Sequence, residues 1–186
     1  MSVERVRRAF TTADYYRMAE SGILGEDDRV ELIEGEVIQM SPIGSRHAGC
    51  IARLITFITE QMGRSVIVNS QNPVHLDEYS EPQPDVIILK PREDFYSNSH
   101  PTPDDVLVVI EVADSSVVYD RAVKVPLYAR AGIAEVWLVD LVRNVLEIYS
   151  APEQTAYRDV RELRRGEQLS SGQVPGLILS VDEILG

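Results

Sequence analysis

The sequence has one cysteine, Cys50, one tryptophan, Trp137, and only two lysines, Lys90 and Lys124, among 186 residues. A single cysteine cannot close an internal bridge, which excludes a disulfide scaffold and fits a reducing compartment. The three histidines, His47, His75 and His100, share no ligand spacing with one another or with Cys50, so there is no zinc motif. Long apolar runs are missing too. VLVVI at 106–110 falls far short of the roughly 20 residues that a membrane-spanning helix needs. The basic N-terminal stretch MSVERVRRAF leads into no apolar segment of the secretory kind. No phosphate-cradling glycine loop and no serine hydrolase elbow occurs. The expectation is a cytoplasmic protein that folds as one domain over 1–186.

Hydrophobic residues at 44% and charged residues at 26% are ordinary for a globular chain and exclude wholesale disorder. The balance of charge is less ordinary. Thirty acids against eighteen bases give −12, and the surplus is concentrated after residue 64, where twenty acids face ten bases. Such a chain repels nucleic acid at long range, which argues against general DNA coating. A local site where a cation offsets the carboxylates is not excluded by this.

The chain reads as α, β-hairpin, α, several β, α, then β. Thr11 or Thr12 caps a short helix ending near Glu20, and RVELIEGEVIQM at 29–40 reads as a hairpin turning at Glu34-Gly35. Ile51, Leu54, Ile55 and Ile58 fall at helical spacing in a helix over 46–62. Strands are expected at 65–70, 74–76 and 85–89, with a surface loop over 90–105. VLVVIEV at 106–112 suits a central strand covered on both faces. A helix follows to residue 131, its start disturbed by Pro126. Strands at 135–140, 145–149, 157–163 and 177–179 and a short helix at 181–185 complete the chain. This order predicts an α/β or α+β fold around a mixed sheet. Its apolar, β-rich C-terminal region leaves a sheet edge that a homodimer would cover.

Two carboxylates stand where apolar strands do not favour them. Asp85 opens DVIIL after Pro84, and Glu111 interrupts VVIEVA. A charge inside a buried strand is costly unless it is paired or bound to metal. If the two strands are neighbours, Asp85 and Glu111 meet at one end of the sheet, and two carboxylates, a backbone carbonyl and waters form the oxygen set that Mg²⁺ favours. The plain alternative is that Asp85 caps a strand and Glu111 pairs with an arginine. Lys124 follows on the next helix, where Asp120, Lys124 and Tyr128 share one face. It is either a functional ammonium or half of an exposed Asp120–Lys124 pair. His47 opens the long helix and either faces the cleft or lies on the surface. The loops at 41–47 and 90–105 are candidate walls of that cleft, and Trp137 reads as core.

Pro84-Asp85 and Glu111-x-Ala113, set within ELIEGEVIQMSP (31–42), QPDVIIL (83–89) and VIEVADSSVVYDRAVKVPLYARAGIAEVWLVD (109–140), resemble the Uma-two family of restriction-endonuclease-like proteins in the PD-(D/E)XK nuclease superfamily. The resemblance covers nearly the whole chain. The PD pair alone is weak, and the long third segment is far more specific. The resemblance implies a restriction-endonuclease-like core, a mixed central sheet flanked by helices. It implies Asp85, Glu111 and the Val112 carbonyl as ligands of Mg²⁺ or Mn²⁺. The superfamily lysine would fall at position 113, where this chain has Ala113, and the resemblance places that role on Lys124 instead. Glu31 is either a supporting acid or an exposed strand residue. The expected function is metal-dependent endonucleolytic hydrolysis of nucleic acid, DNA first, with Asp85, Glu111 and Lys124 as catalytic residues. Two alternatives stand beside it: a catalytically inactive interaction module, and a metal-dependent hydrolase of another phosphate ester.

Overall fold

The computed structural model describes residues 8–25 and 27–186. Helix α1 (Thr12–Glu20) starts at Thr11, whose hydroxyl accepts the Asp14 N–H while the Asp14 carboxylate accepts the Thr11 N–H. Strands β1 (Val30–Ile33) and β2 (Glu36–Gln39) form the expected hairpin. Glu34 and Gly35 take φ of 50° and 77°, as a tight primed turn requires. Only glycine fits at position 35, because a Cβ there would lie 2.5 Å from the Ala9 side chain. Helix α2 (Ser45–Met62) buries Cys50, Ile51, Leu54 and Ile58 and stops at Gly63.

Six strands build the central sheet. In spatial order they are β3 (Ile67–Asn69), β4 (Val86–Leu89), β5 (Val106–Ala113), β6 (Glu135–Asp140), β7 (Val145–Glu153) and β8 (Ala156–Leu163). β5 and β6 run parallel and every other neighbouring pair in this sheet is antiparallel. A parallel pair needs a long crossover, and the helical segment between residues 117 and 130 supplies it. Side chains alternate between the two faces. Val86, Ile88, Val108, Ile110, Val112 and Trp137 pack toward α2, while Ile87, Val109, Ala113, Val136 and Leu138 pack with Tyr128 and Ile133 on the other side. Both faces are therefore covered, as the continuous apolar runs indicate.

The structure departs from the sequence expectation in four places. Segment 74–76 is not a strand: Val74 and Leu76 donate their N–H groups to the carbonyls of Pro82 and Ser80, so the chain folds back on itself there. The first central strand is limited to Ile67–Asn69. The crossover is not one α-helix. It runs as α3 (Val117–Tyr119), a π-helical turn (Asp120–Lys124) and α4 (Val125–Arg130). Pro126 has no N–H to donate, and the wider turn, closed by Val125 N–H to Asp120 C=O, absorbs the break. A further strand, β9 (Gln168–Ser170), pairs with β10 (Ile178–Ser180) in a separate ribbon before α5 (Val181–Leu185). The C-terminal region thus packs beside α2 rather than extending the sheet. The outer strand β8 exposes Arg158, Asp159, Arg161 and Glu162, charges that discourage edge pairing. Among the described residues, no helix is long and apolar enough to cross a membrane.

Candidate active site

The β4–β5 register sets Val86 opposite Ile110, so Asp85 and Glu111 follow as the next residues outward. Alternation puts both side chains on the face that Val109 and Ala113 share. Asp85 Oδ2 accepts the Val112 N–H at 2.8 Å and lies 3.0 Å from His47 Nε2. An ionised carboxylate only accepts, so Nε2 carries the proton. That hydrogen bond raises the His47 pKa, with burial acting against it. The side chain of Val112 is core, but its N–H faces Asp85, and strand geometry turns its carbonyl to the same side.

Glu111 is 2% exposed, and its Oε1 accepts from Tyr128 Oη at 2.6 Å and from Lys124 Nζ at 3.1 Å. Lys124 Nζ also lies 3.0 Å from Glu31 Oε2, which accepts the Gln83 N–H at 3.1 Å. Asp120 is buried as well and takes a 2.6 Å hydrogen bond from Ser116 Oγ. Two buried carboxylates thus contact the one ammonium, and a third, Asp120, acts on it through space. Burial pushes the Glu111 carboxyl up to about 8 against the pull of Lys124. Burial also raises Asp120, again against Lys124. For Lys124 burial favours the neutral amine, but Glu111, Glu31 and Asp120 together outweigh it and hold the group charged.

These groups line a cavity of about 460 Å³ walled by the hairpin, residues 41–44, the start of α2 and the β5–α3 connection. Asp85, Glu111, Val112, Lys124, Glu31 and His47 all line it, so every residue singled out from sequence comes together. Glu31 is buried rather than exposed, and Lys124 pairs with Glu31 and Glu111. The 90–105 loop contributes nothing to this cavity. It borders a separate hollow with Gly63 and Asn69, beyond the far end of β4. His75 instead meets Glu81, and His100 stacks on Tyr16. The sequence reading missed Gln83, the Glu111–Tyr128 bond and Tyr119; the spacing of Asp120, Lys124 and Tyr128 was the signal available for the second of these. Among the described residues, no three His, Cys, Asp or Glu side chains converge on one point as a closed metal cage.

A family model described as "Putative restriction endonuclease", Uma2, matches residues 12–182. The chain belongs to the Uma2 family. A crystal structure of "a putative nuclease belonging to DUF820" from Anabaena variabilis superposes on it with a TM-score of 0.69 at 16% identity, covering 95% of this chain and 97% of that one. At that identity the likeness shows the shared fold. No curated protein matches the chain. This Uma2 chain has apolar Ala113 two residues beyond Glu111, and its ammonium reaches the acids from the π-turn instead.

Proposed function

We propose that this protein is a divalent-metal-dependent nuclease that hydrolyses phosphodiester bonds in nucleic acid, with DNA the first substrate to test. The observation that carries the reading is the adjacency of Asp85 and Glu111 at one end of β4 and β5 with the Lys124 ammonium beside them in one cavity.

The residues fit a small hard cation. Oδ2 of Asp85 and Oε1 of Glu111 are engaged by donors, while among the described residues no hydrogen bond occupies Asp85 Oδ1 or Glu111 Oε2. The surplus of carboxylates over cations lining the cavity also favours a divalent ion. Asp85, Glu111 and the Val112 carbonyl would hold Mg²⁺ or Mn²⁺. When bound, such an ion polarises a phosphate and makes a bound water a better nucleophile.

The protein's own groups do the rest. Val112 N–H and His47 fix the rotamer of Asp85, and Tyr128 fixes Glu111. Lys124, steadied by Glu31, presents a permanent positive charge to orient the attacking water and offset charge that builds on the phosphate. Ala113 has no group for this task, so the role falls to Lys124.

The test is cleavage of DNA, RNA, nucleotides and simple phosphate esters by the purified protein with Mg²⁺ or Mn²⁺ against a chelator control. Metal-dependent cutting of nucleic acid that is lost in Asp85→Asn and Glu111→Ala is the expected result. Preference for a simple phosphate ester would move the protein to another hydrolase class. Absence of turnover on all of them, with no calorimetric metal binding, would leave a non-catalytic interaction module.

A further inference from the structure

Two buried side-chain polar atoms lack a hydrogen-bond partner among the described residues, His47 Nδ1 and Tyr119 Oη. Both belong to residues that line the same cavity. Leaving a buried polar atom without a partner is unfavourable, so a ligand that completes both of these is favoured here.

The shape of the cavity limits that ligand. A cavity of about 460 Å³ is too small to take in a duplex, whose major groove alone is about 12 Å wide. The groups that would act on a phosphate lie at its base, with Glu111 and Lys124 side chains only 3% and 5% exposed. A phosphate must therefore leave the surface of its helix to reach them.

Charge acts in the same direction. Five carboxylates line the cavity against two fixed cations, Arg29 and Lys124. A duplex brings one negative charge for about every 1.7 Å of axis, twice the density of one strand. Exposed Ile43 and half-buried Tyr119 both line the cavity, and an aromatic side chain there suits contact with a base.

We infer that the cavity admits a single unpaired nucleotide, so that the substrate is single-stranded nucleic acid or an unpaired end rather than continuous duplex. The inference rests on the nuclease reading above. Tyr119 is its substrate contact, its hydroxyl donating to the entering nucleotide.

The experiment compares one end-labelled DNA sequence as a single strand, as a blunt duplex, and as a duplex with an unpaired tail, each with Mn²⁺. The single strand is expected to be cut with kcat/KM at least about tenfold higher than the blunt duplex, a difference of about 1.4 kcal/mol. The tailed duplex should be cut within its tail. Tyr119→Phe should raise KM for the single strand by about three- to tenfold, more than it lowers kcat, as loss of one hydrogen bond implies. Equal cutting of single strand and blunt duplex would overturn this inference and leave the nuclease reading standing. An unchanged KM in Tyr119→Phe would remove the assigned contact. No cutting of any of the three, nor of the same three made as RNA, would overturn both.

Discussion

Lys124 Nζ lies 3.1 Å from Glu111 Oε1 although the two residues sit on different elements, the lysine on a π-helical turn and the acid inside β5. Both side chains are almost wholly buried. An ammonium in such a place is retained by the acids around it, and Glu31 is the second of these at 3.0 Å.

Replacement of Lys124 therefore has two separable effects. Lys124→Met leaves Glu31, Glu111 and Asp120 without a counter-charge, and the metal-free protein should lose about 3–5 kcal/mol of stability. Turnover should fall on the order of 10²–10³-fold, the scale for loss of one charge-stabilising donor. Lys124→Arg should not restore activity, because a planar guanidinium does not fit where a compact ammonium bridges two acids. Denaturant unfolding with a chelator and cleavage rates with Mn²⁺ read the two effects. Wild-type turnover in Lys124→Met would remove the lysine from the chemistry.

The raised pKa of Glu111 fixes the sign of a pH effect. Its carboxyl moves from an ordinary 4.5 to about 8 on folding. The unfolded chain releases this proton first, so the contribution is fully present below about pH 4.5 and is lost as pH rises through about 8. Stability of the metal-free protein should decline over that window relative to Glu111→Gln, which has nothing to titrate there, and the difference should level off above it. Unfolding curves of both proteins at stepped pH provide the comparison. Parallel profiles would show that Glu111 enters the folded state already charged.

His47 acts on Asp85 through the 3.0 Å contact of Nε2 with Oδ2. Val112 N–H holds the same oxygen, so His47→Ala should leave the fold intact and free one of two constraints on the carboxylate. Loss of such an orienting partner typically weakens a metal site by about 10–100-fold. Titration calorimetry with Mn²⁺ on wild type and His47→Ala measures it. Equal affinities would return His47 to the role of a bystander on α2.

Much of this arrangement was legible because it is local. Val86–Leu89 and Val106–Ala113 announce themselves as apolar runs, and the acid just before the first and the one inside the second are visible without coordinates. The turn at Glu34-Gly35 carries its own backbone signature. What was not legible depends on contacts between distant segments. Glu31 lies on the small hairpin, outside the central sheet, and nothing near it in sequence shows that β1 folds over the acids. Segment 74–76 has strand-like composition, yet the carbonyls of Pro82 and Ser80 satisfy its N–H groups first. β9 is three residues with one buried side chain, too short for alternation to register. Pro126 signalled a disturbed helix, but not that the disturbance is a π-turn whose Asp120 and Lys124 are both buried.

That π-turn needs a restraint of its own, because its spacing is less favourable than that of an α-helix. Arg121, three residues before Lys124, supplies one. Its Nε and Nη2 donate to the two oxygens of Glu147 at 3.1 and 2.8 Å, and Nη2 reaches Asp140 at 3.2 Å. Hydrogen bonding to Glu147 raises the Arg121 pKa further, so the clamp keeps its charge at every working pH. The turn is thereby tied to β6 and β7 through Arg121 while Lys124 reaches Glu31 and Glu111. Arg121→Gln should cost about 2 kcal/mol, the order of a charged hydrogen bond, since Arg143 still pairs with Glu147. Activity should fall further than stability explains, in kcat rather than KM, as Lys124 loses its fixed register. Arg121→Lys should recover stability better than kcat, because one ammonium cannot reproduce the two-pronged contact. Full kcat in Arg121→Gln at a temperature where the variant is folded would show that the π-turn holds Lys124 without the clamp.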